Sequence, residues 1–187
     1  MENKIRYGVS RVAIAPVTIT DGVYSYGTLI QWPGATNLTL SPKGNIEPFE
    51  ADNRDLVMID KSEGYDGELE TAYIPAAIAA AILAMREDSK KVAMEYSGQV
   101  YSQFALLAQF QGDAHNRRIA LYDCVVTARP EVAAKTAKSR TPDTTKVKFA
   151  ARPRASDDLV QMYTKSDTDA TVYNNWFTAV QEPAAGV

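Results

Sequence analysis

Roughly ten short strand-like segments, turn residues at regular intervals between them and a single alanine-rich helical stretch predict a mainly β protein. The expected architecture is a sandwich or barrel-like fold with one flanking α-helix at about residues 75–86. The chain has 187 residues, 45% hydrophobic and 23% charged, which suits one domain with a real core.

The elements follow in order. Arg11 to Thr20 is β-branched and apolar through Val12, Ile14, Val17 and Ile19, and Asp21-Gly22 is a two-residue turn signal. Val23 to Ile30 reads as the return strand. Pro33-Gly34 interrupts, and Ala35 to Ser41 carries Leu38 and Leu40 on one face. Pro42-Lys43-Gly44 predicts a turn, Asn45 to Asp52 and Asp55 to Lys61 two further strands, and Ser62-Glu63-Gly64 a break before Tyr65 to Ile74. Along that last strand the period of two puts Asp66, Glu68 and Glu70 on one face and Gly67, Leu69 and Thr71 on the other.

Pro75 to Arg86 predicts the internal helix. Proline suits the first helical position, alanines favour the conformation, and Ile78, Ile82 and Met85 form a stripe bordered by Leu83. Val92 to Tyr96 is a short strand and Gln103 to Gln111 an alternating one. Arg117 to Arg129 is apolar on both faces, which predicts the centre of a sandwich or a subunit interface. Pro130 to Asp143 has no core residues of its own and reads as a long functional loop. Thr144 to Arg152 turns Val147, Phe149 and Ala151 inward and Lys146 and Lys148 outward. Asp158 to Tyr163 reads as a strand. Thr168 to Gln181 can form a C-terminal helix through Val172, Trp176 and Val180, and Glu182 to Val187 reads as a frayed tail.

Composition narrows the chemistry. One cysteine, Cys124, leaves no intrachain disulfide framework or CxxC zinc site, and one histidine, His115, leaves no scheme with two histidines from one chain. Cys124 sits in an apolar run and reads as a small buried hydrophobe, and His115 sits in a turn and reads as a surface residue. No phosphate-cradling glycine loop, HExxH, EF-hand or GxSxG motif is present. Adjacent same-face carboxylates at Asp66, Glu68 and Glu70 repel, so a solvated or channel-facing strip is a simpler reading than a catalytic pair. No catalytic, cofactor or metal residues are expected. The most apolar stretch, Ile74 to Met85, has 12 residues, whereas a bilayer needs about 20. The first residues lack an apolar signal region, so a soluble chain made in the cytoplasm is expected.

Charge is segregated. Glu47 to Glu70 holds nine acids and two bases, a net of −7, and Arg129 to Arg154 holds eight bases and two acids, a net of +6, within a total of −3. The blocks can neutralise each other within the fold, stay solvated, or meet head-to-tail across copies, a contact that generates rings or filaments. Nucleic-acid binding by the basic block lacks interleaved aromatics.

Several motifs in order resemble a known family. These are Asn3-Lys4-Ile5-Arg6-Tyr7-Gly8-Val9-Ser10, Pro33 to Pro42, Phe49-Glu50-Ala51-Asp52-Asn53, Gly64 to Glu70 followed by Ile74-Pro75, Phe104-Ala105-Leu106-Leu107, Gly112-Asp113, Arg118 to Tyr122 and Ala128-Arg129-Pro130. Over residues 3–154 the chain resembles the major tail proteins, or tail tube proteins, of long non-contractile-tailed bacteriophages. The resemblance implies a tail-tube β domain over 1–154 with an N-terminal arm and the long loop 130–143, and a C-terminal strand and helix extension of the same domain over 155–187. It implies a structural virion protein, not an enzyme, whose stacked hexameric rings conduct the genome. Its partners would be further copies of itself, a tape-measure protein and tail-tip or terminator proteins, with DNA passing through unread and no membrane. Candidate lumen-facing acids are Asp66, Glu68 and Glu70, and the candidate inter-ring loop carries Lys135, Lys138 and Arg140. A tube subunit of a phage-tail-like bacteriocin or secretion device fits the same residues, and a small-ligand binding β-module is the remaining alternative.

Overall fold

The computed structural model describes residues 8–51, 54–112, 115–131 and 143–184. Its main body is one antiparallel sheet. The strands are β1 (Gly8–Thr20), β2 (Val23–Tyr26), β3 (Ile30–Gln31), β4 (Ala35–Ala51) and β5 (Arg54–Thr71), then, after helix α1 (Ala76–Ile82), β6 (Arg86–Glu87), β7 (Ala93–Met94), β8 (Phe104–Gln111), β9 (Arg118–Val126), β10 (Thr145–Arg152) and β11 (Gln161–Tyr163). Helix α2 (Ala170–Asn174) follows. The sheet runs β2-β1-β8-β9-β10-β5-β4, with β3 on the edge of β1 and β11 on β9, and β6 and β7 form a separate ribbon. Cα atoms of β4 come within 8 Å of those of β1, so the sheet curls toward a barrel. The mainly β class expected from the sequence is observed.

Alternation gives the sheet two apolar faces. Inside the curl, Val12 and Ile14 of β1 pack with Phe104 and Leu106 of β8, Ile119 and Leu121 of β9, and Val147 and Phe149 of β10, closed by Trp32 and by Ile78 and Ile82 of α1. The outer face carries Ala13, Ala15, Ala105, Leu107, Ala120 and Tyr122 and is covered by Trp176 and Phe177. The expected apolar faces of β9 therefore lie between two cores of one protomer.

β9 also carries a register shift. Leu106 pairs with Leu121 and Phe104 with Cys124, so Tyr122 and Asp123 together oppose Ala105. Such a bulge breaks the period of two. Leu121 and Cys124 stay in the inner cluster while Tyr122 joins the outer one.

Several expected boundaries are corrected. Pro42-Lys43-Gly44 and Ser62-Glu63-Gly64 do not end strands. They lie opposite each other, Lys43 against Gly64 and Gly44 against Ser62, as a bulge inside two continuous strands. Gly64 (φ +96°) makes this possible, because a Cβ there would lie 2.0 Å from the carbonyl oxygen of Ala151. The helix expected over 75–86 ends at Ile82. The N–H of Leu83 bonds back to Ala79, Ala84 turns left-handed (φ +53°), and Arg86 starts the ribbon. The helix expected over 168–181 shrinks to five residues, capped by Asp169, whose carboxylate accepts from the N–H groups of Thr171 and Val172. Val23 to Ile30 splits into β2 and β3, with the Gly27 N–H bonded to the Pro16 carbonyl at 2.8 Å. Most of the loop 130–143, including Lys135, Lys138 and Arg140, and residues 1–7 of the N-terminal arm lie outside the described residues.

Gly64→Ala combines left-handed strain with a clash against backbone. It should lower unfolding free energy by about 3 kcal/mol, read as a lower denaturant midpoint in chemical denaturation.

Candidate functional site

The acid strip is built by the alternation of β5. Gly67, Leu69 and Thr71 are buried, which turns Asp66, Glu68 and Glu70 to the opposite face. β5 lies between β4 and β10, and the register fixes their neighbours. Asp66 faces Ser41 and Ala150, Glu68 faces Thr39 and Lys148, and Glu70 faces Asn37 and Lys146. Gly67 has a packing reason as well, since a Cβ there would lie 2.2 Å from the Phe149 ring.

The three acids thus share their face with two lysines. Lys146 Nζ donates diagonally to Glu68 Oε1 at 2.8 Å, and Thr144 Oγ1 donates to Glu70 Oε1. The Lys146 hydrogen bond holds the Glu68 carboxyl below its ordinary value, and the same bond raises Lys146. The pair is partly exposed, with side chains at 56% and 30% of full accessibility for Lys146 and Glu68, so water and salt weaken it. Asp66 is exposed, with Ala150 and Ser41 as its cross-strand neighbours and no cation opposite. A shallow groove of about 480 Å³ runs along this face between Thr39, Ser41, Asp66, Glu68, Thr127 and Lys148. Part of the positive block and part of the negative block therefore meet within one protomer.

Beyond this face β4 and β5 continue as a two-stranded arm. β10 pairs with β5 only from Tyr65 to Thr71, whereas β4 and β5 stay paired from Gly44 and Ser62 out to Ala51 and Arg54. Among the described residues no further strand pairs with this part of either. Eight residues at about 3.3 Å each give an arm of about 25 Å with two open edges.

Two polar clusters at the outer face escaped sequence reasoning. Asp123, 3% exposed, accepts from Arg152 (3.1 Å), Gln103 (3.2 Å) and Tyr24 (3.3 Å). Arg154, 5% exposed, donates to Asp157 (2.9 Å), Tyr26 (3.1 Å) and Glu182 (2.8 Å), and its guanidinium lies 4.9 Å from the Tyr122 ring centroid. Burial pushes Tyr26 up to about 12 and Tyr122 further. The Arg154 hydrogen bond holds Asp157 below the ordinary carboxylate range. The only sequence signal for these clusters was the spacing of Arg152, Arg154 and Asp157, because their remaining members come from distant strands.

A cleft of about 680 Å³ lies at the seam of the curl, between Val9 of β1 and Thr36, Leu38 and Leu40 of β4, with Arg117 and Gln161 at its edge. Cys124 is buried, and burial pushes its thiol pKa up. The His115 carbonyl accepts from the Tyr173 hydroxyl at 2.8 Å. Among the described residues no group of three or more His, Cys, Asp and Glu side chains is placed to hold a metal ion, and no helix is long and apolar enough to cross a membrane. No family model matches the chain, and no curated protein matches it.

Glu68 adds stability above the ordinary carboxylate range and loses it as pH falls through its lowered value. Lys146→Gln should therefore raise the Glu68 titration midpoint toward the ordinary value, followed by carboxyl-carbon NMR; an unmoved midpoint would remove Lys146 as its cause.

Proposed function

We propose that the chain is a self-assembling tube subunit, whose copies form rings, six to a ring by the family resemblance, that stack into a virion tail tube conducting the genome. The observation that carries this reading is the β4–β5 arm. Along its two edges the described residues supply no partner strand, and such open edges favour pairing with another chain. Charge supports the same reading. By sequence the acidic block includes the arm, and the basic block spans 129–154. An acidic arm meeting a basic segment on the next copy is a heterologous contact, which propagates. Tape-measure and tail-tip proteins are the further partners that this reading expects. The same subunit physics would serve a tube in a tail-like bacteriocin or secretion device.

In the tube, Asp66, Glu68 and Glu70 are the proposed bore-facing acids. With Lys146 and Lys148 beside them, the face carries three acids and two bases. A nearly neutral, mixed face resists sticking to passing phosphates without a strong repulsive field. The seam cleft favours a second reading, a small-ligand β-module.

Negative-stain microscopy of concentrated protein separates the two. Rings or tubes are expected from the intact chain, and a strict monomer at every concentration overturns the tube reading. Replacing residues 46–60 with a two-residue turn should leave a folded monomer that no longer polymerises. Deleting Ala133 to Arg140 should do the same; tubes at normal yield would remove that basic segment from the contact.

A further inference from the structure

The outer face of β1, β8 and β9 sets four alanines beside Leu107 and Tyr122. Ala13, Ala15, Ala105 and Ala120 lie there at 0% exposure, although none of them can reach far from the sheet. The segment after β11 covers them together with Tyr26, Leu29, Leu159 and Met162 of the body. Trp176 and Phe177 fill the floor, with Val180 beside them.

This segment, residues 165–184, has little backbone structure of its own. It holds one five-residue helix and a few turn bonds, such as Thr178 N–H to the Asn175 carbonyl. Its strand pairing ends at Tyr163, and the Thr164 N–H bond to the Arg118 carbonyl (2.9 Å) marks the last backbone tie to the sheet. From there on the fasteners are side-chain contacts with the body. Trp176 Nε1 donates to the Ile119 carbonyl at 3.3 Å. Arg118 donates to the Tyr173 carbonyl and stacks 3.7 Å from its ring centroid. Arg11 stacks 4.2 Å from the Phe177 centroid. The Tyr122 hydroxyl donates to the Gln181 carbonyl at 2.5 Å.

The fastener nearest the end of the described chain is different in kind. Glu182 presents both carboxylate oxygens to Nη1 of Arg154, at 2.8 and 3.0 Å. Arg154 is held without it, by Asp157 from its own loop and by Tyr26 from β2. The cationic socket is thus formed by the body, and Glu182, 48% exposed, is the removable part. The ladder of the sheet beneath and its inner core contain no residue of the segment.

We propose that residues 165–184 are a latched strap, which opens as a unit to uncover the alanine-floored face while the sheet stays folded, with the Glu182 carboxylate in the Arg154 socket setting how often it opens. Local units held by few backbone bonds open at a lower free energy than the global fold. A charge-assisted bond to a buried guanidinium is strong enough to govern such an opening. The latch stands whether or not copies of the chain polymerise.

Hydrogen–deuterium exchange of the intact chain, read by mass spectrometry, tests it. In the wild type, amides of 170–181 should exchange faster than those of β1, β8 and β9 and with a weaker urea dependence, because opening the strap exposes less surface than global unfolding does. Glu182→Ala should speed strap exchange about tenfold and leave the three strands unchanged. Glu182→Gln should fall between, and Lys165→Gln, an exposed control, should change nothing. Strap and strands exchanging together, with a shared urea dependence, would overturn the separate opening. Unchanged strap exchange in Glu182→Ala would overturn the latch.

Discussion

The structure depends on how β9 divides its pairing. Along its first half it bonds β8 on one side and β11 on the other, and along its second half β10 takes the place of β11. The bulge at Tyr122 and Asp123 sits at that exchange. It turns two consecutive side chains outward, one into the apolar cover and one into a polar cluster. Asp123 meets Arg152, the last residue of β10, and Tyr122 meets the strap through Gln181. One extra residue in one strand thus places the end of β10 and the strap after β11 on the outer face together.

The same division frees β4 and β5. Once β10 ends at Arg152, no third strand among the described residues flanks the hairpin, and the glycine at 64 lets the Ala151 carbonyl approach where the arm leaves the sheet. The charge pattern follows the strand order. β10 is adjacent to β5, so outward lysines of one fall beside outward acids of the other, and Lys146 pairs with Glu68 while lying cross-strand from Glu70. The remaining acidity is carried by Asp66 and by the arm sequence, where no described strand of the same protomer lies alongside.

Much of this was legible in the sequence where one physical rule dominated. The alternations of Gln103 to Gln111 and Thr144 to Arg152, and the two apolar faces of Arg117 to Arg129, locate β8, β10 and β9 because side-chain period and burial agree. Ile78 and Ile82 were legible as core for the same reason. The breaks at Pro42-Lys43-Gly44 and Ser62-Glu63-Gly64 misled because each is a turn signal alone. Only their pairing with each other makes them a bulge, and pairing is not local information. The spacing of Val172, Trp176 and Val180 reads as helix, yet Trp176 and Val180 reach the outer cluster from turns after Asn174. The bulge at Tyr122 and Asp123 carries no glycine to mark it, so the acid strip was foreseeable and the Asp123 and Arg154 clusters were not.

The C-terminal residues complete the outer face of the sheet. The strands of the sheet up to Arg152 build this face, yet it is unfinished there. Four alanines beside Leu107 and Tyr122 leave a low apolar surface between the larger side chains. Large aromatics supplied from outside the sheet, Trp176 and Phe177, complete the packing, and two arginines from the body, Arg11 and Arg118, lie 4.2 and 5.5 Å from the Phe177 ring centroid. The small residues at 13, 15, 105 and 120 and the aromatics at 176 and 177 are therefore one solution to one packing problem, divided between the body and the segment that follows it.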